Sequence, residues 1–173
     1  MEESLLEGVG SGGIQRIVIA RIKSGVDLLE GLHEVVRREA IEKGVFITAV
    51  GGLQRAAFRT LKQLPRELPV TDEDRLYLDV DRPLELLSLT GHVSPKENGE
   101  PNIHAHFSAC TVRDDTVVTL GGHLIKGTIT AMKVAVAIAV VEGIPMKSIF
   151  SSRSKSEELV IESATEGTLG MRS

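Results

Sequence analysis

The sequence predicts an α+β domain, a largely antiparallel β-sheet with one main helix packed on it. Three observations carry this expectation. Segments rich in β-branched residues, with apolar side chains at every second position, recur along most of the chain. Only one stretch, between Asp27 and Gly44, repeats its apolar residues at helical spacing. The run Thr128 to Glu142 (TITAMKVAVAIAVVE) is alanine-rich, yet its larger residues alternate strictly with Ala131, Ala135, Ala137 and Ala139. A helix has no reason to sort valine from alanine with period two; a strand does.

In chain order, residues 1–13 (MEESLLEGVGSGG) are expected to be a disordered leader, 14–162 a single domain and 163–173 a frayed tail. Ile14 to Lys23 reads as a strand, and Ser24-Gly25 as a turn. Asp27 is placed to cap the helix, with Glu30 as its capping-box partner. Leu28, Leu32, Val35, Val36 and Ile41 form the helix's apolar face, and Gly44 is expected as its C-cap. Val45–Val50 and Gln54–Lys62 read as two strands split by Gly51-Gly52, which is able to make a bulge or a tight turn. The proline-punctuated stretch Leu64–Pro83 reads as a connection with a short strand near Leu76–Val80. Phe150 and Leu159–Glu162 are expected to add an edge strand.

The segment Gly91 to Gly127 organises the rest, because it holds four of the five histidines: His92, His104, His106 and His123. Strand alternation sends His104, His106, Ser108 and Cys110 to one face and Ile103, Ala105, Phe107 and Ala109 to the other. Asp114-Asp115 reads as a two-residue hairpin turn. That turn sets Arg113 opposite Thr116, and the same register sets His106 opposite His123, with His104 as the diagonal neighbour. Directly opposed Cβ atoms lie about 4.5–5.5 Å apart. His92, on the preceding strand Leu84–Ser94, shares the polar parity and is a fourth ligand or a near neighbour. Gathered imidazoles suit Zn²⁺ or another borderline divalent metal, and three of them leave one coordination position open.

Composition excludes several function classes. One domain of this length can bury a core without disulfides. A net charge of −4 and 3% aromatic residues provide neither a basic field nor stacking platforms for nucleic acid. The longest apolar run, Val134–Val141, is far short of the roughly 20 residues of a membrane helix. The single Cys110 and the lack of a signal-peptide layout favour the cytoplasm. His33 is read as a surface residue on the helix. Glu97, Glu100 and Glu142 are candidate general bases that nothing in their spacing separates. Arg16, Arg21, Arg37 and Arg38 lie close in sequence but form no single stripe.

The runs LELLSLTGHVS, NIHAHFSA and GGHLIKGTI, with VFITAVGGLQRAAF upstream, resemble the PPC (plant and prokaryote conserved) domain family over roughly residues 14–150. The resemblance implies a homotrimer, and a metal site at His104, His106 and His123. It also implies a fold similar to that of acetolactate decarboxylase, whose zinc is held by an HxH pair and a later histidine. A metal-dependent enzyme acting on a small carbonyl or carboxylate compound is one functional expectation. A metal or ligand sensor without turnover is another. The third is an oligomerisation module in DNA-associated regulation, as in AT-hook proteins; no Arg-Gly-Arg-Pro hook occurs here, so direct DNA binding is not expected.

Overall fold

A computed structural model describes residues 5–65 and 67–162 of the chain. Nine strands and one α-helix follow in the order β1 (Gly13–Ile22), α1 (Leu28–Arg38), β2 (Gly44–Leu61), β3 (Arg75–Val80), β4 (Leu84–Pro95), β5 (Pro101–Arg113), β6 (Thr116–Leu124), β7 (Ile129–Glu142), β8 (Met146–Ser151) and β9 (Ser156–Ile161). All strand pairings in the main sheet are antiparallel, in the order β1-β7-β2-β4-β5-β6 with β3 beside β2. The α+β expectation holds.

The long strand β2 determines the shape. Its first part pairs with β7 on one edge and β4 on the other, while its last residues pair with β3 and with β6. Through the β6 contact, β2, β4, β5 and β6 close on themselves. Inside this ring Phe58 and Phe107 stack with centroids 4.4 Å apart, and Leu89, Ala105, Ala109 and Leu124 are buried around them. Of the two expectations for Gly51-Gly52, a bulge or a tight turn, the bulge is found, and it leaves β2 one continuous strand and not two. Gly51 takes φ +152°, and a Cβ there would collide with the Lys133 carbonyl oxygen. Glycine thus lets β7 cross closely without ending β2.

Helix α1 begins as its sequence indicates, with the Asp27 side chain accepting from the Glu30 backbone N–H at 3.2 Å. The Glu30 carboxylate goes elsewhere, to Lys126 at 2.6 Å. The expected end at Gly44 is corrected. The helix stops at Arg38, and Ala40 takes the left-handed conformation at φ 48°. The Ile41 N–H then bonds the Val36 carbonyl at 2.9 Å, and Ile41 is buried. This is a Schellman-type closure made without glycine, supported by the apolar contact of the residue beyond. Gly44 opens β2 instead. Leu28, Leu32 and Val36 pack into one cluster with Val18, Ile22, Val134, Val136 and Ile138.

In β7, Val134, Val136, Ile138 and Val140 are buried, as the alternation indicates, while Met132 at the bulged end is 71% exposed. Phe150 and Leu159 belong to a separate two-stranded hairpin, β8-β9, and not to an edge of the main sheet. That hairpin is held to β4 by buried hydroxyls, Ser94 Oγ to Ser148 Oγ at 2.7 Å. Residues 8–12 run beside Glu142, Ile144 and Ile161. The tail expected over 163–173 lies outside the described residues, as do residues 1–4 of the expected leader. Among the described residues, no helix is long and apolar enough to cross a membrane.

Candidate metal centre

Each functional side chain is placed by register. Asp114 and Asp115 both have positive φ, 48° and 59°, the backbone of a type I′ turn. The hairpin they close pairs Arg113 with Thr116 and His106 with His123. On the other side of β5, β4 pairs His92 with His104 and Thr90 with His106. Gly91 permits this approach. Its φ is +140°, and a Cβ would collide with the His104 carbonyl oxygen.

The four rings meet as two motifs. His104, His106 and His123 present ring nitrogens that all lie within 4.8 Å of one another. His106 Nε2 is 3.4 Å from His123 Nδ1. Two nitrogens bound at about 2.0–2.1 Å to a tetrahedral zinc stand about 3.3 Å apart, so this pair already has ligand spacing. His123 meets both other rings edge-on, at centroid distances of 4.9 and 5.1 Å. His92 instead lies flat on His104, 5.4 Å away at an interplanar angle of 6°. The group that converges contains no carboxylate and no thiol.

Burial is the main force on the charge state. It pushes all four rings below the ordinary histidine range. At His104 the neighbouring His106 adds to the effect and then Arg59; at His106 Arg59 adds to it. At His123 burial, then Arg59, then the two other rings bring the value to about 3. At neutral pH the rings are therefore uncharged, each with a nitrogen lone pair available, the form a metal requires.

Pairing across a sheet keeps partners on one face, so the registers trace two rows. One runs Ile17, Ala139, Val45, His92, His104 across β1, β7, β2, β4 and β5. The next runs Thr90, His106, His123, Arg59, Tyr77 across β4, β5, β6, β2 and β3. The histidines thus share the outer face of the sheet with an apolar stripe, not the core. Arg59 is the neighbour that sequence reading missed. Its place beside His123 depends on the closure of β2 onto β6, which no local motif announces.

The remaining candidates are not part of the group whose ligand atoms converge. Ser108 bonds Ser88 at 2.8 Å. Cys110 pairs with Glu85 and is half-buried, not the buried thiol that a structural role would suggest. Glu142 ends β7 opposite Gly13, and Glu100 is tied to Asn98 in the β4–β5 loop. Glu97 is exposed in the same loop. His33 sits half-buried on α1.

A family profile matches residues 9–142, that of the Plants and Prokaryotes Conserved (PCC) domain. The chain belongs to this family. Among solved structures, it is similar to a metal-containing protein from Archaeoglobus fulgidus, at 22% identity over 88% of this chain and 98% of that one, TM-score 0.69. It is also similar to a Bacteroides thetaiotaomicron protein assigned provisionally to DNA binding, at 15% identity over 86% and 94% of the two chains, TM-score 0.66. Both likenesses show the PCC fold. Acetolactate decarboxylase of Bacillus subtilis overlaps more loosely, at 14% identity over 74% and 53% of the chains with TM-score 0.48. The bifunctional protein GlmU of Synechococcus sp. (strain JA-3-3Ab) is 28% identical over 127 residues. Those residues are 73% of this chain and 17% of that protein, so the chain spans under a fifth of the curated relative's length.

Proposed function

We propose that this PCC domain binds one divalent transition metal of the zinc type through His104, His106 and His123. The open coordination position then takes a small carbonyl or carboxylate compound. The observation that carries the reading is the convergence of three neutral imidazoles within 4.8 Å. The similar Archaeoglobus fulgidus protein, described as metal-containing, supports it. A bound zinc ion supplies Lewis acidity at its open position. The chain's own contribution is to hold the rings uncharged and in register. His92, stacked on His104, fixes that ring's plane.

We also propose assembly as a homotrimer, in the cytoplasm, through the outer sheet face. Ile17 and Ile19 on β1 and Val45, Ile47 and Val50 on β2 are all exposed there, a contiguous apolar surface of the kind that marks interaction sites. Because Val45 is the cross-strand neighbour of His92, a subunit packed on that stripe would border the metal site. The half-buried, unbridged Cys110 fits a reducing compartment.

Zinc added to the metal-free protein tests the site. Only the folded chain brings the rings together, so saturating zinc is expected to raise the thermal midpoint. An unchanged midpoint overturns the proposal.

A further inference from the structure

We infer that Arg59 makes this site select an anion, and specifically a small monocarboxylate held between the metal and the Arg59 guanidinium. The inference rests on the metal reading above and adds the ligand's charge and the residue that reads it.

Arg59 is half-buried on β2, with His123 opposite it on one side and Tyr77 on the other. Its neighbours among the arginines are neutralised. Arg55 pairs with Asp79 at 2.9 Å, and Arg75 bonds the Ser154 carbonyl at 3.1 Å beside Asp72 at 3.6 Å. No carboxylate or hydrogen-bond acceptor engages the Arg59 guanidinium among the described residues. A guanidinium carries five donors and cannot discharge itself by losing a proton. Half-buried and unpartnered, it is a standing invitation to an acceptor from solution.

The metal ligands sharpen the charge argument. All three are imidazoles, and among the described residues no carboxylate joins them. A divalent ion bound there keeps its full charge, and Arg59 adds another cation on the same sheet face. An anion is what this arrangement lacks. The planar fork of a guanidinium matches the two oxygens of a carboxylate, and an oxygen donor is acceptable to zinc. The Tyr77 hydroxyl is already committed to Asp72 at 3.0 Å, so on this side of the rings the guanidinium is the group left to read the ligand's charge. On the face where His123 sits, the next residue along β6 is Gly121, opposite Ser108.

The test uses the full chain loaded with Co²⁺, whose visible absorption reports its ligands directly. Acetate and, separately, inorganic phosphate are titrated into wild type, Arg59→Met and Arg59→Lys. Arg59→Met keeps the apolar stem, and Arg59→Lys keeps the charge without the fork. The expected result is an acetate-dependent spectral change in wild type. Arg59→Met should weaken it at least tenfold while cobalt is still bound, and Arg59→Lys should restore it in part. Equal acetate affinity in wild type and Arg59→Met overturns the inference, as does tighter binding of phosphate than of acetate. Failure of wild type to take up cobalt overturns it too, but by removing the metal reading beneath it. A far-UV spectrum of each variant separates lost binding from lost fold.

Discussion

His106 and His123 face one another directly across the β5–β6 hairpin, with Nε2 of one 3.4 Å from Nδ1 of the other. The rings lie on the outer face of the sheet, held there by the register, which the turn at Asp114-Asp115 sets and the buried Ala105, Phe107 and Leu124 on the opposite face support. A one-residue slip would send every side chain of β6 to the opposite face.

The turn should therefore be improvable without harm to the site. Both turn residues hold positive φ, which glycine adopts at no steric cost. Asp115→Gly creates the Asp-Gly pair favoured in type I′ turns and is expected to stabilise the protein by about 0.5–1 kcal/mol. Metal affinity should be unchanged. A lower thermal midpoint by calorimetry would show that the turn geometry is misjudged.

Stability of the metal-free protein should depend on pH through its histidines. Their folded values lie below the ordinary one, chiefly because of burial. The unfolded chain therefore binds protons more readily than the folded chain, and stability falls as pH drops below about 6.5. Above that range both states are neutral and the curve is level. For His123 the penalty continues to grow until its folded value of about 3 is reached. Between pH 7 and 5 the thermal midpoint is expected to fall. Replacing His104, His106 and His123 together with Gln should flatten the decline. A slope of equal size in that variant would place the effect elsewhere.

The isolated chain should not read DNA sequence. Arg37 and Arg38 both pair with Glu34, at 2.8 and 2.6 Å, and Arg16 bonds the Glu39 carbonyl at 2.5 Å. Of the four clustered arginines only Arg21 is left to offer a phosphate contact, against a net charge of −4. Any association should be electrostatic and fade between about 50 and 200 mM salt. Fluorescence anisotropy at 150 mM salt decides the matter, with submicromolar, sequence-dependent binding as the contrary outcome.

Much of the site was legible because strand chemistry is periodic. Once His104 and His106 share a parity and a two-residue turn follows, His123 has only one place to go. The helix start at Asp27 and the strand character of Thr128–Glu142 were legible for the same reason, local rules that burial did not overrule. What was hidden is non-local or depends on backbone detail. Nothing near Arg59 indicates that β2 bends round to meet β6. The helix end rests on Ala40 adopting a conformation its side chain disfavours, held by the buried Ile41. At Gly51 the choice between a bulge and a tight turn is made by the crossing of β7, which keeps β2 continuous. Phe150 reads as an edge residue because the serines that dock its hairpin, Ser94 and Ser148, are far apart in the chain.

The most direct measurement is zinc stoichiometry by titration calorimetry of the metal-free protein near pH 7.5, in wild type, His106→Ala and His33→Ala. One zinc per chain is expected in wild type and in His33→Ala. His106→Ala should lose at least tenfold in affinity, since it removes one of three ligands and the partner of His123. Wild type that takes up no zinc, or a His106→Ala variant that binds as tightly as wild type, would contradict it.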